Sequence, residues 1–189
     1  MRLFVALDVP DETRRALDET VRQFEAICRG ARWTRAESVH VTLKFIGHVE
    51  ETMLPAIKES LSKVKSKAPL EIAFGQFGFF PNERRPRVLW LGIEPGPILA
   101  VLASQIASTL EAIGIPREER DFKPHLTLAR FKTEEGLAKL RQMVASLANQ
   151  SFGCTVATEF HLYESMLNPR GAVHTKLASY RFAEGSATP

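Results

Sequence analysis

Two copies of one tetrapeptide pattern, His-hydrophobic-Thr-Leu, occur 85 residues apart in this chain of 189 residues. They are His40-Val41-Thr42-Leu43 and His125-Leu126-Thr127-Leu128. Polar and apolar residues alternate in both copies, so a β-strand would present the histidine and the threonine on one face and the two aliphatic residues on the other. The imidazole and the hydroxyl would then lie about 6.5–7 Å apart along each strand. One copy is an ordinary strand sequence, whereas two matched copies indicate a shared site.

If the two strands face each other across a cleft, these side chains can hold a phosphate. The hydroxyls of Thr42 and Thr127 would donate hydrogen bonds to its non-bridging oxygens. His40 and His125 would lie on opposite sides, along the axis of an in-line displacement. One imidazole, protonated, gives a proton to the leaving oxygen, and the other, neutral, takes one from the attacking water, since histidine titrates near neutral pH. A five-membered cyclic phosphate suits this chemistry because ring strain assists its opening.

Two cations near the motifs are candidates for binding the substrate. Lys44 continues the alternation of the first motif, so we expect it on the face of the histidine and the threonine, where it would supply positive charge to a phosphate or a nucleotide. Arg130 follows His125 by five residues, an odd offset that nominally points to the opposite face. A twist or a bulge near the end of the strand would return it to the cleft, where a guanidinium can hold phosphate oxygens bidentately.

Aromatic side chains are candidates for stacking on a base. The best placed is Trp33, which lies between Arg32 and Arg35 just before the first motif. Three others, which strands more often bury in a core, are Phe79, Phe80 and Tyr163. The remaining histidines have no assignable partner in the sequence and are interpreted as incidental: His48, His161 and His174.

A metal site is the competing interpretation of the two motifs. Two histidines can bind zinc, but a catalytic zinc needs a third ligand, and neither tetrapeptide carries an acidic residue. We therefore predict no metal and no other cofactor. A purely structural interpretation, with solvent-facing histidines and threonines that simply favour strands, accounts for one copy but not for both.

The composition is that of a globular protein with a slightly basic surface. Lys and Arg number 25 against 22 Asp and Glu, and hydrophobic residues make up 44% of the chain. This balance suits an anionic substrate but is far from that of a protein that wraps nucleic acid. No apolar run approaches the ~18 residues of a membrane span, and Cys28 and Cys154 lie in no pairing motif, so we predict a reduced, cytoplasmic protein that does not bind membranes.

Periodicity and turn residues predict alternating strands and helices in one domain over residues 1–183, with a flexible tail at 184–189. We expect strands at 2–8, 39–46, 70–80, 87–93, 124–131, 152–164 and 172–180. We expect helices at 11–30, 50–65, 97–113 and 133–149. In this order each half of the chain has its His-Thr strand after its first helix. The pattern therefore indicates an internal duplication, in which each half contributes one strand to the site.

Several further segments, together with the motifs, resemble the 2H phosphoesterase superfamily, in particular the RNA 2′,3′-cyclic phosphodiesterases historically called 2′-5′ RNA ligases. The similarity covers about residues 2–182. It rests on the opening strand Arg2-Leu3-Phe4-Val5-Ala6-Leu7, on the two motifs extended to Gly47 and to Arg130, and on the C-terminal segments Phe160-His161-Leu162-Tyr163-Glu164-Ser165 and Gly171-Ala172-Val173.

This resemblance implies an α+β, bilobal, pseudo-two-fold fold, with two antiparallel sheets lining a central cleft and helices packed outside. It also implies that the protein opens a 2′,3′-cyclic phosphate at an RNA end, without a metal, and leaves a 2′-phosphate. We expect a monomer whose partner is such an RNA or a cyclic nucleotide. His40 would donate the proton to the 3′ oxygen, His125 would activate water, and Arg130 would contact the nucleotide. Members of the family often have a tyrosine at the position of His174.

Three functions remain open at this point. The first is hydrolysis of RNA 2′,3′-cyclic phosphate ends, with weak 2′-5′ ligation as its reverse. The second is a phosphodiesterase that acts on small cyclic nucleotides or on ADP-ribose cyclic phosphate. The third is a module that binds RNA or nucleotides without turnover, although binding alone does not require a matched acid and base.

Overall fold

A computed structural model describes residues 1–65, 69–168 and 171–182 of the chain. In these ranges four α-helices and nine strands follow one another along the chain. They are β1 (Arg2–Leu7), α1 (Asp11–Ile27), β2 (Ala31–Trp33), β3 (Val41–His48), α2 (Leu54–Ser62), β4 (Leu70–Phe80), β5 (Val88–Glu94), α3 (Gly96–Glu111), β6 (His125–Phe131), α4 (Leu137–Ser146), β7 (Ser151–Ala157), β8 (Glu159–Asn168) and β9 (Gly171–Arg181). The predicted tail at 184–189 lies outside the described residues.

The strands form two antiparallel sheets, and the α+β class is confirmed. Sheet one has the order β3-β1-β8-β9, and sheet two has the order β2-β6-β5-β4-β7. Each sheet therefore combines segments that are distant in the chain, because the first two strands of sheet one are N-terminal and the last two are C-terminal. The sheets approach each other where β3 contacts β6, which are the two strands of the motifs.

Helix α3 buries an apolar stripe whose members recur every three or four residues. Leu99, Leu102, Ile106 and Leu110 of α3 are all buried in the core. In α1, Asp11 occupies the first turn, where a negative charge is favoured by the helix dipole. Helix α4 is shorter than expected, since it begins at Leu137 after a left-handed Gly136 (φ 77°), instead of near Thr133.

The strands differ from those expected in two places. The long strand expected at 152–164 is two strands, which separate at Thr158, because β7 pairs with β4 in sheet two while β8 pairs with β1 in sheet one. The short segment around Trp33, which the sequence did not identify as a strand, pairs with β6 as β2. Neither pairing follows from local sequence, since both join residues far apart in the chain.

Candidate active site

The two motif histidines are held in the same way. Nδ1 of His40 lies 2.9 Å from the carbonyl oxygen of Ser38, and Nδ1 of His125 lies 2.6 Å from that of Lys123. A carbonyl oxygen only accepts hydrogen bonds, so Nδ1 carries the proton in both rings. Nε2 is then the nitrogen that can exchange a proton, and no residue in the described part of the chain bonds it. The two halves therefore match in this hydrogen bond as well as in the residues of the motif.

Three rings pack edge-on against His40. The ring centroids of Tyr163, His174 and Phe4 lie 4.8, 5.1 and 5.7 Å from that of His40, with interplanar angles of 64°, 89° and 76°. The interpretation of His174 as incidental was therefore wrong: β9 pairs with β8 and so brings it to the site. Its Nδ1 is buried and has no partner among the described residues.

His125 has a corresponding aromatic environment in sheet two. The rings of Phe80 and Trp90 lie 5.1 and 6.4 Å from its centroid. Gly78 is what makes room for this arrangement, since a Cβ on it would lie 2.1 Å from the indole of Trp90. Each catalytic candidate is therefore confined by flat side chains.

The two threonines also occupy matching positions. Thr42 lies opposite Ala6 on β1, and Thr127 lies opposite Trp90 on β5. Both are half-buried, and neither hydroxyl has a hydrogen-bond partner within the described ranges. Since directly opposed residues of an antiparallel pair share a face, Thr127 lies on the face that holds Trp90 and His125.

The structure contradicts the predicted position of Lys44. Leu43 is an extra residue between the pairs Ala6–Thr42 and Val5–Lys44, so a β-bulge reverses the alternation after the threonine. Lys44 therefore lies on the face of Val5, which is fully buried in the main core. Its Nζ donates hydrogen bonds to the carbonyl oxygen of Pro116 and to Oε2 of Glu118, both at 2.8 Å. The ammonium is thus a buried structural cation and is not available to a substrate.

The bulge places Phe45 on the site face instead. It is paired with Phe4, its ring lies 6.4 Å from that ring, and 57% of its surface is exposed. Phe45 could not be identified from the sequence pattern, because strict alternation assigns it to the core. An exposed aromatic ring beside the site is a suitable surface for a base.

A second bulge, of the kind expected from the sequence, turns Arg130 toward the site face. Leu128 is the extra residue, because Thr127 pairs with Trp90 while Ala129 pairs with Leu89. Arg130 then pairs with Val88, two residues from Trp90, so it shares the face of Thr127. It is exposed. Arg130 and Phe45 occupy the same position in their motifs, five residues after the histidine.

Trp33 does not lie at the site. It pairs with Ala129, which is completely buried, its ring packs against Phe24, and its indole N–H donates to the carbonyl oxygen of Cys28. The prediction that it is the best residue for base stacking was therefore wrong. Phe79 is likewise a core residue.

A polar network lies beside His40 in sheet one. Asp8 accepts hydrogen bonds from the hydroxyl of Tyr163 and from Nζ of Lys176 (2.8 Å), and Nε2 of His161 lies 3.3 Å from its Oδ2. Nδ1 of His161 is 2.9 Å from the hydroxyl of Ser179. Three partners hold the pKa of Asp8 far below its usual range, with His161 contributing most. His161 is therefore a structural element of this network and is not incidental.

Burial lowers the pKa of both motif histidines. For His40 it outweighs the favourable bond to Ser38, the nearby His174 and Arg14 add to it, and the pKa falls to about 4. For His125 the pKa is lowered mainly by burial and further by Arg130. Both rings are therefore neutral in the free protein at pH 7, and an anion bound between them would raise both pKa values.

Other features of the described residues bear on the competing interpretations. No group of three or more His, Cys, Asp and Glu side chains in these residues is arranged to hold a metal ion. Cys28 and Cys154 are both free. None of the helices described is long and apolar enough to cross a membrane.

Comparison with known proteins agrees with the duplicated architecture. A family model described as "LigT like Phosphoesterase" matches residues 7–90 and 92–174, and each range contains one motif. An Archaeoglobus fulgidus protein named RNA 2′,3′-cyclic phosphodiesterase is 35% identical over 177 residues, which cover 94% of this chain and 98% of that protein.

Solved structures show the same fold. The crystal structure of TT0787 of Thermus thermophilus matches with a TM-score of 0.77 at 31% identity, over 97% of this chain and 99% of that one. Escherichia coli LigT in complex with 3′-AMP matches with a TM-score of 0.74 at 26% identity, over 97% and 98%. The chain therefore belongs to the LigT-like family of 2H phosphoesterases.

Proposed function

We propose that this enzyme hydrolyses the 2′,3′-cyclic phosphate at RNA ends to a 2′-phosphate, with His40 and His125 as its general acid and base. The observation that carries the proposal is the matched construction of the two motifs. Each imidazole bonds a carbonyl two residues back through Nδ1, and each is followed by a threonine. In the described part of the chain, neither Nε2 nor the threonine hydroxyl has a hydrogen-bond partner. A module that only binds its ligand does not need two imidazoles that are both held in the same tautomer.

In the proposed reaction, neutral His125 takes a proton from water at Nε2, and the water oxygen forms the new bond to phosphorus. The bond between phosphorus and the 3′ oxygen breaks, and protonated His40 gives that oxygen its proton. The phosphate keeps the 2′ oxygen, so the product is a 2′-phosphate. If a 5′-hydroxyl takes the place of water, the same steps form a 2′-5′ phosphodiester and leave a 3′-hydroxyl, which is how weak 2′-5′ ligation would arise.

The lowered histidine pKa values fit a site that becomes active when an anion binds. The free rings are neutral, which suits the base, but the acid must be protonated. A phosphate placed between the rings favours the charged form of one of them by Coulomb attraction. The hydroxyls of Thr42 and Thr127 would hold the non-bridging oxygens during this step, and Arg130 would add a cation on the same face.

The substrate class is supported by the relatives and by the aromatic surface. The A. fulgidus relative is named RNA 2′,3′-cyclic phosphodiesterase, and E. coli LigT was solved in complex with 3′-AMP. Phe45, exposed on the site face of sheet one, would stack on the terminal base. A base contributes about 1–3 kcal/mol by such stacking.

The test uses a short RNA that ends in a 2′,3′-cyclic phosphate, with EDTA present, and identifies the product against 2′- and 3′-phosphate standards. We expect a 2′-phosphate. His40→Ala and His125→Ala should each lower turnover by at least ~100-fold, the usual scale for a general acid or base. His48→Ala, which removes an exposed histidine outside the motifs, is the matched control and should retain wild-type turnover.

Three outcomes would contradict the proposal in different ways. Near-normal turnover by a folded His40→Ala or His125→Ala variant would refute the two-histidine mechanism. Loss of wild-type activity with EDTA and its return with zinc would indicate a metal site. Turnover of nucleoside or ADP-ribose cyclic phosphates, without turnover of RNA, would assign the enzyme to small molecules.

A further inference from the structure

Arg32 and Arg130 lie directly opposite each other on the paired strands β2 and β6. Opposed residues share a face, so Arg32 extends the face that carries Arg130 and Thr127 to the edge of sheet two. Both arginines are exposed. Neither guanidinium forms an ion pair within residues 1–65, 69–168 and 171–182.

Such a pair is unfavourable unless an anion joins it. Like charges directly opposite each other destabilise an antiparallel pair of strands, and here no acidic side chain of the described residues compensates them. Two planar guanidinium groups on neighbouring strands carry several N–H donors on one face of the sheet. That arrangement matches the oxygens of a phosphate group better than those of a neutral ligand.

The pair lies beyond the site of the cyclic phosphate. On β5, the partners of Thr127 and Arg130 are Trp90 and Val88, which are two residues apart, so Arg130 is about 6.5–7 Å further along the strand than the threonine. Arg32 is one strand further out, by about 5 Å. The backbone positions therefore place a phosphate shared by both arginines further out than the one held between the histidines.

We propose that Arg32 and Arg130 together bind the phosphodiester that precedes the terminal nucleotide of an RNA chain, which rests on the proposed function. Sheet one has Phe45 where sheet two has Arg130, and β3 is an edge strand with no counterpart of β2 beside it. The duplicated site thus has an aromatic side for the terminal base and a doubly cationic side for the backbone. The arginine pair makes an oligonucleotide a better substrate than a nucleoside cyclic phosphate.

The test compares kcat/KM on a short RNA ending in a 2′,3′-cyclic phosphate with kcat/KM on the matching nucleoside 2′,3′-cyclic phosphate. Arg32→Ala should lower the ratio of the two values by about tenfold, the scale of one charge-assisted contact. It should also reduce the salt dependence of kcat/KM on RNA by about 0.7 in the log-log slope. Arg35→Ala, an exposed arginine of the same segment outside the pair, is the control and should leave the ratio as in the wild type.

An RNA whose last internucleotide linkage is a neutral methylphosphonate identifies the contact. Wild-type enzyme should act on it more slowly than Arg32→Ala acts on natural RNA, since both arginine contacts are lost, and the neutral linkage should slow Arg32→Ala less than it slows the wild type. An unchanged ratio in Arg32→Ala, or an equal loss on RNA and on the nucleoside substrate, would overturn the inference. Absence of wild-type turnover on both substrates would instead refute the proposed function, so the two failures are distinguishable.

Discussion

The lowered pKa of His40 predicts a specific dependence of stability on pH. In the folded protein burial lowers this pKa to about 4, whereas an unfolded histidine titrates at about 6.5. The folded state therefore binds this proton less readily, so the contribution of His40 to stability is complete above pH 6.5 and is lost as the pH falls toward 4. Linkage with these two values gives a loss of about 2 kcal/mol between pH 7 and pH 5.

His40→Gln removes this titration and keeps a polar side chain of similar size. We expect the free energy of unfolding of the variant to fall by about 2 kcal/mol less than that of the wild type between pH 7 and pH 5. Urea denaturation at half-unit steps of pH measures both curves, and the difference between them cancels the other titrating groups. His48→Gln, at an exposed position, controls for the loss of an imidazole and should follow the wild type.

Parallel curves for His40→Gln and the wild type would refute the reasoning, since they would mean that the ring titrates alike in the folded and unfolded states. The same experiment with inorganic phosphate adds a second check. Phosphate bound at the site should raise the pKa of His40, so the pH-dependent difference between the proteins should shrink in its presence. A difference that is unaffected by saturating phosphate would contradict the placement of an anion beside this ring.

Two further predictions concern the residues that the bulge in β3 redistributes. Glu118→Ala should lower the free energy of unfolding by about 1 kcal/mol, because it leaves Lys44 buried with only a carbonyl partner, and the loss is limited because the carboxylate is half-exposed. The double variant Lys44→Met, Glu118→Ala should recover part of this free energy in the same urea titration. No recovery would count against a buried unpaired charge. Phe45→Ala should raise the KM for RNA about tenfold with a smaller effect on kcat, since stacking binds the base without reaching the phosphate, and an unchanged KM would exclude Phe45 from the binding surface.

The local elements follow from the sequence because their signals are local. The apolar stripe of α3 repeats every three to four residues in the sequence, and Leu99, Leu102, Ile106 and Leu110 are all buried. The motif strands alternate polar and apolar residues, and the structure has strands there. A strand boundary such as Thr158 is different, since it depends on which distant strand each neighbouring segment joins.

The faces of the site strands could be predicted only as far as the bulges. Up to Thr42 and Thr127 the alternation holds. After them one extra residue in each strand reverses it, which removes Lys44 from the site and brings Phe45 and Arg130 to it. A bulge is a property of the pairing between two strands, so neither strand alone reveals it.

The candidates for the chemistry, two histidines and two threonines, can be identified from the sequence alone, because their types and spacing repeat in the two halves of the chain. Their surroundings depend on the tertiary structure. Asp8 meets Tyr163 and Lys176 from the other end of the chain, and Arg32 meets Arg130 across β2 and β6. Local periodicity determines the direction of a side chain within one strand, whereas burial, pKa and charge pairing depend on residues that only the folded sheets bring together.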